Sequence, residues 1–267
     1  MVRTKLSRYL AALSAPLLLE LVMIPGFLTT AQAQTKTPTQ TSVDRRLKQV
    51  TFEPRKDQPA PTVTVGGGRR NRGTCSTQET KASEQSTTEV KSLDQLLTPL
   101  LRSPVTDPQL TVSAHPTFLV YVPQTSAKGL ELTLEQDGKG IYQTTMNLTG
   151  TPGIVSISLP ATAPELEIGK DYKWLVSVVC ESGAPEDSFV VGLVRRIQSD
   201  STLSQIDKAK PLEQVALYAK SGIWFDAVAN LATLRKAQPN DPQVASAWEN
   251  LLKGAGLGAI ANAPLKN

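Results

Sequence analysis

The sequence has few of the side chains that catalyse reactions near neutral pH. Its 267 residues include one histidine, His115, and two cysteines, Cys75 and Cys180. A zinc site needs several histidine or cysteine ligands at close spacing, and no CxxC pair is present. No GxSxG motif accompanies a serine, and no EF-hand loop occurs. The chain is therefore predicted to have no catalytic residues, no metal site and no cofactor, which argues against an enzyme.

Two further features could still support catalysis, and both have simpler interpretations. His115 is followed by Pro116 at the start of a strand-like run, which predicts a structural or surface role. Paired carboxyl groups occur in ATAPELEIGKD at 161–171 and in SGAPEDSF at 182–189. Glycosidic chemistry needs two carboxylates facing each other across a cleft, whereas these two segments are typical of solvated turns.

Long apolar runs are also scarce, and the main one, Leu10–Leu19, lies near the start of the chain. Basic residues precede it, and the small-x-small sequence Ala31-Gln32-Ala33 follows it, as in a secretory signal peptide. We expect residues 1–33 to be a signal peptide that is cleaved after Ala33. The mature protein would then be extracytoplasmic, in the periplasm, in the cell envelope or secreted.

An uncleaved membrane anchor over residues 10–28 is the competing interpretation. It would place Glu20 near the middle of the bilayer and two prolines inside the span, and both are unfavourable. No other segment approaches the about 18 apolar residues that a membrane span needs. Loss of residues 1–33 removes three basic residues and one acidic residue, so the formal net charge falls from +4 to +2.

Residues 34–73 are rich in threonine, proline, glutamine and charge, so they are predicted to form a flexible basic leader. The segment GGGRRNRGTC at 66–75 contains no lysine, which excludes a P-loop. Arg69, Arg70 and Arg72 are candidate contacts for a polyanion such as an acidic glycan, an anionic lipid headgroup or an acidic partner. No aromatic residue interleaves them, which argues against nucleic acid. Solvated arginines beside a flexible glycine run are the alternative.

The two cysteines are predicted to form a disulfide, because an even pair in an exported protein usually does so. The bridge would close a loop of about 105 residues and tie the glycine-arginine segment to the end of a strand. Two buried thiols, or a metal or redox pair, are the alternatives.

From residue 110 to 197 the hydrophobic pattern has a period of two. Proline, glycine and Asp-Gly turn signals separate the β-like runs, as in an antiparallel sandwich. The runs are LTVSA, PTFLVYVP, GLELTLEQ, GIYQTTMNL, GIVSISLP, YKWLVSVVC and SFVVGLVRRI. Residues 74–198 are therefore predicted to be an immunoglobulin-like all-β sandwich of about seven strands, and the fold with its helical tail is α+β.

Three details of this domain follow from local patterns. The turn Asp137–Gly140 predicts a hairpin in which Leu130, Leu132 and Leu134 share one face of a strand. Trp174 is predicted to lie in the core. Ahead of the strands, SLDQLLTPLLRSP at 92–104 has a capping-box spacing and leucines at helical intervals, which predict a short helix kinked at its proline.

From about Thr202 the pattern becomes helical, and residues 199–267 are predicted to form a small helical subdomain. Two helices with a turn at Ser221-Gly222 resemble a single tetratricopeptide repeat, and QVASAWENLLKGAGL predicts a third helix. The positions that carry the likeness are Tyr218, Gly222, Trp224, Ala227, Leu231 and Pro239. Leu234 departs from it, since the repeat usually has a small residue there. So few helices cannot form a solenoid, and we expect them to dock on the sandwich or cap themselves.

Several longer segments are distinctive when taken together. They are HPTFLVYVP at 115–123, TGTPGIVSISLPATAPELEIGKDYKWLVSVVC at 149–180, PLEQVALYAKSGIWFDAVANL at 211–231 and the closing NAPL. With the exported leader and the glycine-arginine segment, they resemble the cyanobacterial domain-of-unknown-function family numbered 928, over about Gly66 to Leu265. The resemblance implies a cyanobacterial origin and an extracytoplasmic location, and it implies no activity.

Two functions of different class are consistent with these features. The first is a non-catalytic exported interaction or scaffold protein whose partner is an unknown protein or an envelope polymer, contacted by the helical tail or the basic leader. The alternative is a carbohydrate- or polyanion-binding protein, or an unrecognised hydrolase. Its site would be a cleft of the sandwich near Tyr121, Tyr142 or Trp174. Neither function involves nucleic acid or a membrane span after signal cleavage.

Overall fold

The alternating runs form strands that assemble into two mixed sheets. The computed structural model describes residues 50–58, 75, 95–102, 107–180, 185–201 and 203–266, and all of them belong to one compact unit within residues 38–267. The strands are β1 Thr98–Pro99, β2 Gln109–Thr111, β3 Thr117–Val122, β4 Gly129–Gln136, β5 Lys139–Asn147, β6 Gly153–Ser158, β7 Asp171–Val179, β8 Pro185–Arg196 and β9 Leu265–Lys266. The seven predicted runs are confirmed as β2 to β8.

The larger sheet has the strand order β2-β8-β7-β4-β5, and the smaller has the order β1-β3-β6-β9. Most neighbours are antiparallel, but β2 lies parallel to β8 and β9 lies parallel to β6. The hairpin of β4 and β5 turns at Asp137 and Gly138, which both have positive φ, as the Asp-Gly signal predicted. The fold is therefore α+β with two sheets, as expected.

The two sheets share an apolar core. Leu130, Leu132 and Leu134 are all buried, and so is Trp174, as predicted. The ring of Phe118 on β3 lies 5.1 Å from that of Trp174 on β7, which links one sheet to the other. Such tilted aromatic pairs add to the stabilisation that burial itself provides.

Of the helix predicted over residues 92–104, the described residues 95–102 retain only Gln95 in a 3-10 conformation. Thr98 and Pro99 instead pair with Tyr121 and Val120 of β3 as strand β1. Proline in a helix interior removes a hydrogen bond and clashes with the preceding turn, whereas it is tolerated in an edge strand such as this one. The neighbouring leucines are buried against the sheets.

Three α-helices follow β8, as predicted, and β9 comes after them. They are α1 Pro211–Lys220, α2 Trp224–Ala237 and α3 Pro242–Gly254, with 3-10 helices at Leu203–Lys208 and Gly258–Ile260. The helices dock on the sandwich. The ring centroids of Phe225 on α2 and Phe118 on β3 are 5.5 Å apart, and the Trp224 indole donates to the Leu100 carbonyl. The sheets and helices thus share one continuous hydrophobic core.

Residues 50–58, hereafter the N-terminal strap, also pack on the helices. Val50 is fully buried, the Phe52 ring meets the Trp224 ring edge-on at 5.4 Å, and the Glu53 amide donates to the Ala219 carbonyl. The prediction of a flexible leader therefore does not hold for these nine residues. Two apolar side chains, Val50 and Phe52, are enough to order this segment because the folded helices α1 and α2 supply the surface on which it packs.

Gly222, in the turn between α1 and α2, permits this close approach. It has φ +74°, which residues with a side chain rarely adopt, and a Cβ there would lie 2.7 Å from Arg55 Cγ. Across the described ranges, no helix has the length and apolar character needed to cross a membrane.

Candidate functional site

The predicted disulfide is present. Cys75 and Cys180 are bonded, with their Cα atoms 5.8 Å apart, and they are separated by 105 positions in sequence. The bridge joins the end of the glycine-arginine segment to the residue that follows β7, and the Ser126 hydroxyl donates to the Cys75 carbonyl. Arg69, Arg70 and Arg72 lie outside the described residues, so their role as polyanion contacts stays a prediction.

The residues that carried the tetratricopeptide likeness are mostly packing residues. Five of the six are buried, and Pro239 is exposed in the turn between α2 and α3. The buried five are Tyr218, Gly222, Trp224, Ala227 and Leu231. The likeness to that repeat itself stays a prediction.

The aromatic residues proposed for a sandwich cleft do not form one. Trp174 is fully buried and Tyr121 is 4% exposed, so neither presents a surface to a ligand. Tyr142 is half-buried on β5 and lines neither of the two cavities described below. Tyr121 and Trp174 belong to the apolar core, and Tyr142 packs against it. The alternating sequence pattern does not distinguish a core position from a position in a binding cleft.

One cavity, hereafter the arginine cleft, lies between the N-terminal strap, the segment before β2, and β8. It has a volume of about 230 Å³. Guanidinium, amide and apolar groups line it together with one carboxyl group, that of Asp107, and such a mixture suits a polar ligand. The lining side chains include Phe52, Arg55, Gln58, Arg102, Gln109 and Arg195.

Arg102 is the side chain of the cleft whose charge is least compensated. It is half-buried, and its guanidinium lies over the Phe52 ring at 4.3 Å from the centroid. It makes no hydrogen bond or ion pair with the part of the chain that the structure describes. Burial lowers the pKa of Arg102, and the Asp107 carboxylate opposes that effect. A guanidinium in this state presents its donor groups to a ligand.

The other two arginines of the cleft already have carboxylate partners. Arg195, 2% exposed, donates to Asp171 from Nε at 2.5 Å and from Nη2 at 2.8 Å. Arg55 pairs with the exposed Asp57, and this hydrogen bond raises the pKa of Arg55. Arg102 is therefore the arginine of the cleft that has no hydrogen-bonded partner among the described residues.

A second cavity, hereafter the Asp226 cavity, lies between α2 and the segment that joins β2 to β3. Its volume is about 190 Å³. Its lining combines three hydroxyl groups, an imidazole, a side-chain amide and a carboxyl group. These belong to Thr111, Ser113, Thr117, His115, Asn230 and Asp226.

Asp226 stands in the first turn of α2 and accepts a hydrogen bond from the Val112 amide at Oδ2, 3.1 Å away. Desolvation by the surrounding protein raises the pKa of Asp226 to about 6. Hydrogen bonds from the Thr111 hydroxyl and the Val112 amide oppose the rise, and the Asp207 carboxylate adds to it. The Asp226 carboxyl group therefore titrates near pH 6 rather than near pH 3.8.

Replacing Asp226 with asparagine is expected to stabilise the protein at pH 7 by on the order of 2 kcal/mol. The folded pKa lies above the ordinary value of 3.8, so protonation stabilises the fold. That stabilisation is fully present below about pH 4 and is lost as the pH rises through 6. Asparagine keeps an acceptor for the Val112 amide without the buried charge. Urea unfolding between pH 4 and pH 7 measures the difference.

The exposed turn variant Asp137→Asn is the matched control for this prediction, and its stability should stay within about 0.5 kcal/mol of the wild type at every pH. An Asp226→Asn variant that is less stable than the wild type at pH 7 would contradict the assignment of an uncompensated carboxylate.

His115 is a member of this cavity, although the sequence suggested only a structural or surface role. Its Nε2 lies 3.0 Å from the Ala163 carbonyl, which can only accept, so Nε2 carries a proton. Its backbone amide donates to the Ser113 hydroxyl oxygen. The imidazole thus has a structural contact on one side, and it also lines a cavity.

Two residues of these cavities, Arg102 and Asp226, were not predicted as site residues from the sequence. Arg102 follows a leucine-rich segment, where a charged residue reads as the polar end of a helix. Asp226 lies between Phe225 and Ala227 in a helix whose neighbouring residues are buried. An acidic residue on a buried helical face is a signal that could have found it.

Comparison with known families gives a match over residues 65–265 to the family described as Domain of Unknown Function (DUF928). A search of curated proteins finds no similar protein. The matched region includes Arg102 and the whole lining of the Asp226 cavity, whereas the N-terminal strap precedes it.

Proposed function

Because this chain belongs to the family Domain of Unknown Function (DUF928), whose description gives no activity, we propose its function from the arginine cleft. The protein is a non-catalytic, extracytoplasmic interaction protein that binds an acidic polysaccharide of the cell envelope. The observation that carries the proposal is Arg102, half-buried over Phe52 in a cavity and without a hydrogen-bonded partner among the described residues.

The composition of the cleft supports an acidic sugar as the ligand. A carboxylate or sulfate group accepts two parallel hydrogen bonds from one guanidinium, which lysine cannot provide. Gln58 and Gln109 line the same cavity. Their amide nitrogens donate to the Asp57 carboxylate and the Asp107 carbonyl, so their side-chain oxygens are the groups left to accept from sugar hydroxyls. The cavity of about 230 Å³ suits one sugar unit rather than a long stretch of polymer.

The proposed location rests on the signal-peptide pattern over residues 1–33, with cleavage after Ala33. The disulfide between Cys75 and Cys180 supports it, because such bonds persist in oxidising compartments. The cyanobacterial origin implied by the sequence resemblance is part of the same proposal. The N-terminal strap covers part of the helical surface near Gly222, which favours the cleft over the helices as the contact site.

Replacing Arg102 with glutamine is expected to weaken binding to a carboxylated polysaccharide such as polygalacturonate by about tenfold. The lost group is a charge-assisted bidentate donor, so binding by the wild type should also weaken with added salt. Biolayer interferometry of the purified protein on immobilised polygalacturonate, dextran sulfate and neutral dextran measures both effects.

Arg235→Gln is the matched control, since Arg235 also lies over an aromatic ring, that of Trp248, and burial lowers its pKa too. It lies outside the cleft, so binding should be unchanged. A double variant Arg69→Ala/Arg70→Ala tests the competing basic segment. If only that variant loses binding, or if an acidic peptide binds and no polysaccharide does, the proposal for the cleft is wrong.

A further inference from the structure

The Asp226 cavity is chemically the opposite of the arginine cleft. Its lining contains one carboxyl group and neither lysine nor arginine. The groups that approach the Asp226 carboxylate, the Val112 amide and the Thr111 hydroxyl, are neutral donors. The start of α2 contributes partial positive charge, which stabilises the carboxylate without supplying a counter-ion.

The remaining polar groups of the cavity are mainly hydrogen-bond acceptors. The Asn230 amide nitrogen is used within the helix, where it donates to the Asp226 carbonyl, so its side-chain oxygen is the group left to accept. The Ser113 hydroxyl accepts from the His115 amide and the Thr117 hydroxyl is bonded to the Ser158 hydroxyl, so each oxygen keeps at least one lone pair. Oxygen acceptors around a carboxylate are the surroundings that a ligand with several N–H donors and a positive charge requires.

We propose that the Asp226 cavity binds the primary ammonium group of a small molecule. The ammonium would donate to the Asp226 carboxylate and to the hydroxyl and amide oxygens around it. The carboxylate would thereby gain the opposite charge that the described residues do not give it. A cavity of about 190 Å³ accommodates a short alkylamine.

Other ligand classes fit the cavity less well. A divalent cation needs more oxygen ligands of formal charge, and no cluster of three or more His, Cys, Asp or Glu side chains occurs among the described residues. A neutral polyol would leave the carboxylate without a counter-charge. An anion would meet repulsion from Asp226 and from Asp207, whose charge also acts on that carboxylate.

The charged and titratable groups that face Asp226 determine how binding depends on pH. Asp207, in the 3-10 helix, and Tyr218, on α1, both interact with it electrostatically, and His115 lines the same cavity. Asp207 adds negative charge, which favours a cation. Burial raises the pKa of Tyr218 to about 12, so the phenol is neutral in the working range. Binding should therefore require the Asp226 carboxylate and decline as it becomes protonated.

Isothermal titration of the purified full chain with n-propylammonium chloride tests the proposal. We expect binding at pH 7 that is about tenfold weaker at pH 5, because most of the Asp226 carboxyl group is then protonated. 1-Propanol and propionate, which have the same carbon skeleton, should not bind. The pH dependence should persist in His115→Gln, which separates the carboxyl group from the imidazole.

Two variants distinguish a loss of ligand binding at this cavity from a loss of folding. Asp226→Asn should weaken propylammonium binding at least tenfold while it raises stability, and Ala229→Leu should block the cavity without touching the hydrogen bonds of Asp226. Circular dichroism and thermal melting verify that both are folded. Equal binding of propanol and propylammonium would instead assign a neutral ligand and overturn the proposal. Undiminished binding in Asp226→Asn, or no binding by the wild type, would overturn it too.

Discussion

Removing the disulfide, in the double variant Cys75→Ser/Cys180→Ser, is expected to lower the free energy of unfolding by about 4 to 5 kcal/mol. The bridge closes a loop of 105 residues, and the loss of that constraint lets the unfolded chain explore far more conformations. A change of this size is a large part of the total stability of a typical domain. Urea unfolding of the oxidised wild type and the double variant at pH 7 measures it.

Wild-type protein reduced with a thiol reductant is the control for the serine substitutions, and its stability should match that of the double variant. Arg102→Gln, outside the bridge, should unfold at nearly the same urea concentration as the wild type. A loss below about 1 kcal/mol would show that the entropy model does not describe this bridge.

Replacing Arg195 with methionine is expected to destabilise the protein by about 3 to 5 kcal/mol. Asp171 and Arg195 face each other on β7 and β8, and both are almost completely buried. The substitution leaves the Asp171 carboxylate buried and without its main cation, and that penalty exceeds the net value of the pair. Thermal and urea unfolding at pH 7 give the size of the loss.

A matched substitution on the neighbouring strand β7 tests whether burial is the cause. Lys173 of β7 pairs with Glu135 of β4 at a partly exposed position, and Lys173→Met should cost less than about 1 kcal/mol. The double variant Arg195→Met/Asp171→Leu should regain part of the lost stability, because no charge is then left buried. If Arg195→Met and Lys173→Met cost the same, burial does not set the value of this pair.

Local patterns in the sequence were sufficient for most of the regular structure. The seven runs of period two became strands β2 to β8, because alternate side chains of a strand point to opposite faces. The Asp-Gly turn and the helical spacing after residue 210 depend on residues within a few positions of each other. The cysteine pair was predictable because the chain contains only two.

The errors arose where two interactions competed. The segment over 92–104 has helical spacing, but the pairing of Pro99 with Val120 on β3 prevailed over local preference. Residues 50–58 have the composition of a disordered leader, yet they are ordered by the surface of α1 and α2. In both cases the deciding partner lies more than twenty residues away in sequence.

By itself the sequence determined strands β2 to β8, the three α-helices, the turn between β4 and β5 and the identity of the disulfide, because each depends on spacing within one element or on residue counts. The tertiary structure alone decided which polar side chains share a cavity. The Val112 amide donates to Asp226 across 114 positions, and the Arg102 guanidinium lies over the ring of Phe52, 50 positions away in sequence. Such contacts depend on how distant segments pack, and the spacing of residues along the chain carries no record of them.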